Sequence, residues 1–379
     1  MTAPRLLLNT RVDRTAVPGI NSASRHFHQS MPGFEETPLR PASRCATALG
    51  VRSVWVKDES TRMGMPAFKI LGASWATFRA LLDHFGVQPT DTPTLDDLRQ
   101  VVAGKDVTLV AATDGNHGRA VARMAKILSI PAIILVPAIT VASRIEAIEG
   151  EGAEVRVVDG GYDEAIAASA ALADDTHVVV SDTSWPGYEK TPRWVIEGYS
   201  TLLGEVLGEI EEGKMPEPTV VAAQMGVGAF SSAVARGFAN RSARLLVGVE
   251  PVNGDCVLQS VEAGKPITIT ETQDSAMAGL NCGTPALIAF DDNRNGFNAL
   301  VSVDDAGNEV AMKLLHADGV EAGESGSAGL AGLLAHREAL GLGEDDDVLI
   351  FCTEGPTDPV NFERVVGCKP LPSHISTAM

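Results

Sequence analysis

Several short segments of this 379-residue chain hold residue types that could do chemistry together. In Ala67-Phe68-Lys69, a lysine stands at the start of an expected helix that runs to Phe85. A neutral amine there could form a Schiff base. Partial burial and neighbouring positive potential would lower its pKa toward that role. Taken alone, Lys69 reads better as a solvated surface lysine, the usual place of lysines, and Lys57, in Lys57-Asp58-Glu59-Ser60, is a rival amine. The segment Thr113-Asp114-Gly115-Asn116-His117-Gly118 follows an expected strand, Thr108–Ala112. Ligands of open α/β sheets bind at such strand ends. Asp114, Asn116 and His117 supply a carboxylate, an amide and an imidazole; the plainer alternative is a helix N-cap made by Asp114 or Asn116. Asp182, after the expected strand Val178–Ser181, is a second carboxylate or a turn former.

A fourth segment, Met225–Phe230, joins an expected strand to an expected helix. Gly226, Val227, Gly228 and Ala229 would let the backbone approach an anion, with the first N–H groups of the helix pointing at it. Gly226-x-Gly228-x-x-Ser231, with Glu250 ending the next strand, nearly matches a dinucleotide fingerprint, so a nicotinamide-dependent dehydrogenase is an alternative. Ser231 in place of the third glycine counts against it. So does the mid-chain position, and the loop is compact enough for a single phosphate.

The elements that must position these segments alternate. Expected strands at 53–57, 108–112, 132–136, 154–158, 178–181, 219–223, 245–250 and 348–352 are separated by expected helices, the pattern of parallel βαβ units. Four prolines between 18 and 41 should keep the first 50 or so residues irregular. With 45% hydrophobic and 21% charged residues, the composition is that of a globular protein long enough for two domains. The net charge of −19 and the lack of a Lys/Arg-rich run exclude a phosphate-backbone reader. Five scattered cysteines form no CxxC pair, so neither a zinc site nor any other metal site is expected. The longest apolar run, Ile130–Val136, is too short to span a bilayer, and the first residues lack the apolar core of a signal peptide. A cytoplasmic protein with no membrane or nucleic-acid partner is expected.

In their order and spacing, Phe68-Lys69, the Gly-Asn-His-Gly loop, the Gly226-Val227-Gly228 loop and the polar end of the last strand resemble the fold-type II pyridoxal phosphate (PLP) enzymes. That superfamily includes tryptophan synthase β and threonine dehydratase. Lys57-Asp58-Glu59-Ser60, Ala67–Gly72, Ala112–Gly118, Ser181-Asp182-Thr183-Ser184-Trp185 and Thr353-Glu354-Gly355 are similar to one branch, the diaminopropionate ammonia-lyases. The resemblance covers the chain from about Phe34 onward. It implies two α/β domains, each an open, mostly parallel sheet flanked by helices, with the active site in the cleft between them. Residues 1–70 and 195–379 would form the large PLP-binding domain, and 71–194 a small inserted one.

The resemblance also implies roles. Lys69, preceded by Phe68, would carry the cofactor as a Schiff base. Asn116 would bond its 3′-oxygen, and Gly226, Val227, Gly228 and Ala229 would hold its phosphate. Thr353 or Cys352 would face the pyridine nitrogen; residues alternate faces along a strand, so only one can, and Thr353 is preferred. Where superfamily dehydratases usually carry a serine, this chain has Asp114, which fits a substrate with a second, cationic amine. The implied reaction is β-elimination of ammonia from 2,3-diaminopropionate, with Asp114, Asp182 or Lys69 taking the Cα proton. A serine/threonine or hydroxyaspartate dehydratase on the same fold is the alternative. Members are usually dimers, so the expected partners are a small amino-acid substrate and a second copy of the chain.

Overall fold

The computed structural model describes residues 3–371, except Asp114 and Glu271 and the side chain of Asp163. These residues divide into two compact units. The first holds the chain up to Ile20, Glu36–Arg62 and everything from Leu202 onward; the second holds Asn21–Glu35 and Met63–Thr201. The main stretch of the second unit thus runs from Met63 to Thr201, where 71–194 was expected, and it contains Lys69. Residues 21–35 join it because the helix Ala23–Gln29 packs on the helix Lys69–His84. Phe27 meets Phe78 with ring centroids 4.8 Å apart, and His28 Nε2 lies 3.0 Å from Leu71 O.

In chain order the strands are β1 (Leu6–Leu8), β2 (Leu39–Pro41), β3 (Ser53–Asp58), β4 (Thr108–Ala112), β5 (Ala132–Pro137), β6 (Glu154–Val158), β7 (His177–Val179), β8 (Val220–Gln224), β9 (Leu245–Pro251), β10 (Ala299–Val303) and β11 (Asp347–Cys352). The first unit has a seven-stranded sheet, ordered β1-β10-β9-β8-β11-β3-β2. Its five inner strands run parallel, and the two edge strands are antiparallel. Every residue of β8, β9, β10 and β11 is buried. Strands covered on both faces read as apolar runs, which is why β8, β9 and β11 were legible in the sequence; β10, interrupted by Ser302, was not expected. The helix Glu324–His336 lies against all four, its first ten residues buried.

The first 50 residues are not irregular. They contain β1, β2 and the helices Ala23–Gln29 and Ser43–Leu49. These elements are three to seven residues long. Such short pieces carry no periodic signal and are held by tertiary partners, Leu6 opposite Val301 and Arg40 opposite Val56. Pro41 is tolerated because β2 is an edge strand, where a missing N–H removes no ladder bond.

A charged cluster is buried in this unit. Lys57 Nζ donates to Glu205 Oε2 at 2.6 Å and to Thr37 O at 2.7 Å. Arg62 donates to both Glu205 oxygens, at 2.8 and 2.7 Å, and to Glu59 at 2.6 Å. All four charged side chains are at most 1% exposed.

The second unit has a four-stranded parallel sheet, ordered β6-β5-β4-β7. Val110, Ala112, Ile133, Leu135, Ala165 and Val179 form its core cluster. Gly72 is the site of a close helix crossing. A Cβ there would lie 2.5 Å from the Tyr199 ring, and one on Gly198 would lie 2.4 Å from Leu71 O. This crossing accounts for a glycine inside the Lys69–His84 helix, where the residue otherwise weakens the helix. Among the described residues no helix is long and apolar enough to cross a membrane.

Candidate active site

The candidate residues fall in both units. In the second, Lys69 is the first residue of its helix and Asp182 lies three residues past the end of β7. They are 113 positions apart in the chain, yet Lys69 Nζ donates to Asp182 Oδ2 at 2.6 Å. Lys69 keeps 23% of its side-chain exposure, while Asp182 keeps 7%. Tyr162 Oη donates to Asp182 Oδ1 at 3.3 Å. His117 Nε2 lies 2.8 Å from Val180 O, and a carbonyl can only accept, so this nitrogen carries the proton. His117 Nδ1 faces Asp182 Oδ2 at 3.8 Å.

Burial alone would raise the pKa of Asp182. The imidazole of His117, the ammonium of Lys69, and hydrogen bonds from Lys69 and Tyr162 outweigh burial and hold it well below the usual carboxylate range. Asp182 is therefore an anion, held in direct hydrogen-bond contact with the Lys69 amine. Phe68 packs against Tyr199 with the rings tilted by 52° and their centroids 4.6 Å apart, and it lies under the Lys69 amine at 5.8 Å. The turn-former alternative for Asp182 gives way to this cluster. Asn116 is the first residue of the helix Asn116–Leu128; the N-cap is Gly115, with no side-chain cap, so Asn116 does not cap this helix. Asp114 lies outside the described residues.

Lys57, the rival amine, is ruled out by its surroundings. It is 1% exposed and bonded to Glu205 and to Thr37 O, so no substrate carbonyl can reach it.

In the first unit, β8 runs into the loop Met225–Gly228, and Gly228 caps the helix Ala229–Phe238 with φ +90°. A Cβ on Gly228 would lie 2.5 Å from Asn293 Nδ2, and one on Gly226 would lie 3.1 Å from Gly279 O. Positive φ and this crowding both require glycine at 228. The first N–H groups of the helix have no carbonyl one turn earlier to bond. Backbone donors at a glycine cradle of this kind suit a phosphate monoester. At the end of β11, Cys352 belongs to the apolar core cluster, donates its thiol hydrogen to Glu354 O at 3.3 Å, and has its pKa pushed up by burial. Thr353 lies instead in a buried polar group. Gln224 Nε2 donates to Thr353 Oγ1 at 2.7 Å and to Ser325 O and Phe351 O at 3.0 Å each.

Glu250 does not serve as a ribose acceptor. Its two oxygens accept from Val257 N and Leu258 N at 2.8 Å each, capping the helix Cys256–Ala263. The dinucleotide alternative loses its acidic residue.

Tyr162, Tyr199 and Gln224 were not singled out from the sequence. Gln224 had a signal, a polar residue closing the apolar strand Val220–Gln224. Tyr162 and Tyr199 had none, because their partners come from distant segments.

A reachable lysine amine paired with a carboxylate, a phosphate-sized glycine cradle and a neutral hydroxyl at a strand end fit the PLP enzymes. A model of the pyridoxal-phosphate dependent enzymes matches residues 31–354, and the chain belongs to that family. Within the family it is similar to diaminopropionate ammonia-lyase of Escherichia coli strain K12, at 33% identity over 90% of each chain. Its fold superposes on a crystal structure of the E. coli diaminopropionate ammonia-lyase in complex with D-serine. The TM-score is 0.88 at 33% identity, covering 96% of this chain and 97% of the other. A threonine deaminase from Solanum lycopersicum shares the fold at 20% identity, with a TM-score of 0.74 over 97% and 98% of the two chains. The α/β, fold-type II expectation holds.

Proposed function

We propose that the protein eliminates ammonia from 2,3-diaminopropionate to give pyruvate and ammonia. The observation that carries this reading is the 2.6 Å pair of Lys69 and Asp182 in a PLP-family chain. The diaminopropionate ammonia-lyases that share a third of its residues support the choice of substrate.

Lys69 is the amine that holds the cofactor, with Phe68 beneath it. Asn116 bonds the cofactor's 3′-oxygen. Gly226, Val227, Gly228 and Ala229 hold its phosphate through backbone N–H groups. Thr353 faces the pyridine nitrogen, since Cys352 is turned into the core. A hydroxyl there leaves the ring nearer neutral than a carboxylate would. When bound, PLP supplies the electron sink that makes a Cα proton removable.

Asp182, an anion at neutral pH, accepts that proton on one face of the substrate, and Asp114 serves the opposite face. The Cα–H and Cβ–N bonds break, a Cα=Cβ bond forms, and the β-amine leaves as ammonia carrying a proton. Water hydrolyses the released 2-aminoacrylate to pyruvate and a second ammonia. Loss of positive charge at Lys69 during turnover would leave burial less opposed, raising the pKa of Asp182 toward a working base.

Pyruvate release from 2,3-diaminopropionate and from serine, measured side by side, tests the reading. Diaminopropionate should be turned over far faster, and Lys69→Ala should abolish both the turnover and the visible absorption band of the lysine-bound cofactor. Preference for serine would make the enzyme a dehydratase. Full activity in Lys69→Ala would remove the basis of the whole scheme. We also propose that the enzyme is a cytoplasmic homodimer. Its five free cysteines suit a reducing compartment, and sedimentation would test the oligomeric state.

A further inference from the structure

Asp182 does not stand on the ladder of its sheet. Strand β7 ends at Val179, and the chain must leave the sheet and present a carboxylate within three residues. Val180 N still pairs with Val110 O at 2.8 Å; beyond it, side chains take over from strand neighbours. The main one is Tyr188. Its hydroxyl donates to Val179 O at 2.8 Å and accepts from Ser181 N at 3.0 Å, closing the strand end from both sides. Ser181 Oγ then accepts from Thr183 N at 3.3 Å. Asp182 is thereby fixed between two anchored neighbours.

The local sequence builds this clasp. Trp185-Pro186-Gly187-Tyr188 is a tight turn with proline second and Gly187 third at φ +89°, the pattern of a type II turn. Trp185 and Tyr188 bridge through their backbones, and their rings stack at 4.2 Å with an 11° interplanar angle. The turn therefore returns the phenol to the strand end it has just left. Burial, the largest influence, helps push the pKa of Tyr188 up to about 12, so the hydroxyl remains a donor across the working range.

We propose that Tyr188 is a positioning residue for Asp182. By bonding both backbone groups ahead of Asp182, it sets where the carboxylate stands relative to Lys69 and the substrate Cα. The inference rests on Asp182 being the proton acceptor for one face of the substrate. Tyr188 itself touches neither substrate nor cofactor in this scheme.

The test uses Tyr188→Phe, which keeps the ring and its stack and removes the hydroxyl with its clasp and its bond to Thr191, with Asp182→Asn alongside in the holoenzyme. Substrate carrying deuterium at Cα provides a readout that does not depend on the folded fraction. In Tyr188→Phe, kcat should fall about tenfold with KM within about twofold, and the isotope effect on kcat should rise as proton removal becomes limiting. A merely structural loss lowers kcat by reducing active enzyme and leaves the isotope effect unchanged. Trp185→Phe, which loosens the stack but keeps the hydroxyl, should move the isotope effect the same way by less; it carries the test if Tyr188→Phe does not fold. An unchanged isotope effect in these variants, with Asp182→Asn strongly impaired, overturns the role of Tyr188 alone. An Asp182→Asn enzyme of normal rate for every active enantiomer overturns the reading beneath it, and the role of Tyr188 with it.

Discussion

Replacing Glu205 with glutamine should be among the most damaging single changes outside the active site. Glu205 accepts from Lys57 Nζ at 2.6 Å and from Arg62 at 2.7 and 2.8 Å, with no side chain in the cluster more than 1% exposed. Two cations and two anions, Glu59 being the second, balance in this interior. Glutamine would leave two cations against one anion and turn an amide N–H₂ group toward donors. Leaving one buried charge uncompensated costs about 3–5 kcal/mol. For a chain of this size, with an unfolding entropy of about 0.8 kcal/mol/K, that corresponds to a drop of roughly 4–6 °C in Tm, read by circular dichroism on matched samples. The companion variant is Lys57→Met with Glu205→Met, which leaves Arg62 facing Glu59 and restores neutrality. It should recover much of the loss, apart from about 1 kcal/mol for the bond from Lys57 to Thr37 O. A loss under about 1 kcal/mol in Glu205→Gln, or a double variant at least as unstable as the single, would show that charge balance is not what matters there.

Gly228→Val should weaken cofactor retention, because a side chain at φ +90° would meet Asn293; PLP occupancy after dialysis checks this, and full retention would count against the phosphate cradle. Acid stability should follow two structural carboxylates, Glu59 and Glu151. Burial raises both, but the facing arginines dominate and lower their pKa below the ordinary 4.5, Arg62 for Glu59, and Arg123 and Arg119 for Glu151. Folded values below unfolded ones mean stability that is complete above about 4.5 and lost as pH falls through the folded values. Urea midpoints measured downward from pH 6 should decline below pH 5, and Glu151→Gln should flatten that decline; an unaltered slope would count against the linkage.

Much of the fold was readable in the amino-acid order. Strands β8, β9 and β11 are buried on both faces, so their apolar runs stand out locally. The short edge elements before residue 50 were not legible, because Leu6–Leu8 and Leu39–Pro41 exist through pairing with β10 and β3. The glycine turn that we propose as the phosphate cradle could be placed from sequence because its reason is local: a strand, a turn and a helix start within a few residues.

The choice of the lysine proposed to carry the cofactor was not local. Lys57 and Lys69 both precede or follow promising residues, and the choice between them depends on burial against Glu205 and Thr37 O in one case and on exposure beside Asp182 in the other. The same holds for Cys352, the last residue of β11, and Thr353, the first residue beyond it, which lie in a core cluster and in a buried polar group respectively. The order of residues thus determined which chemical groups the chain possesses and which turns and strands carry them. Tertiary packing decided which groups meet, because the pairs that matter are separated by scores of residues and no local pattern encodes their contact.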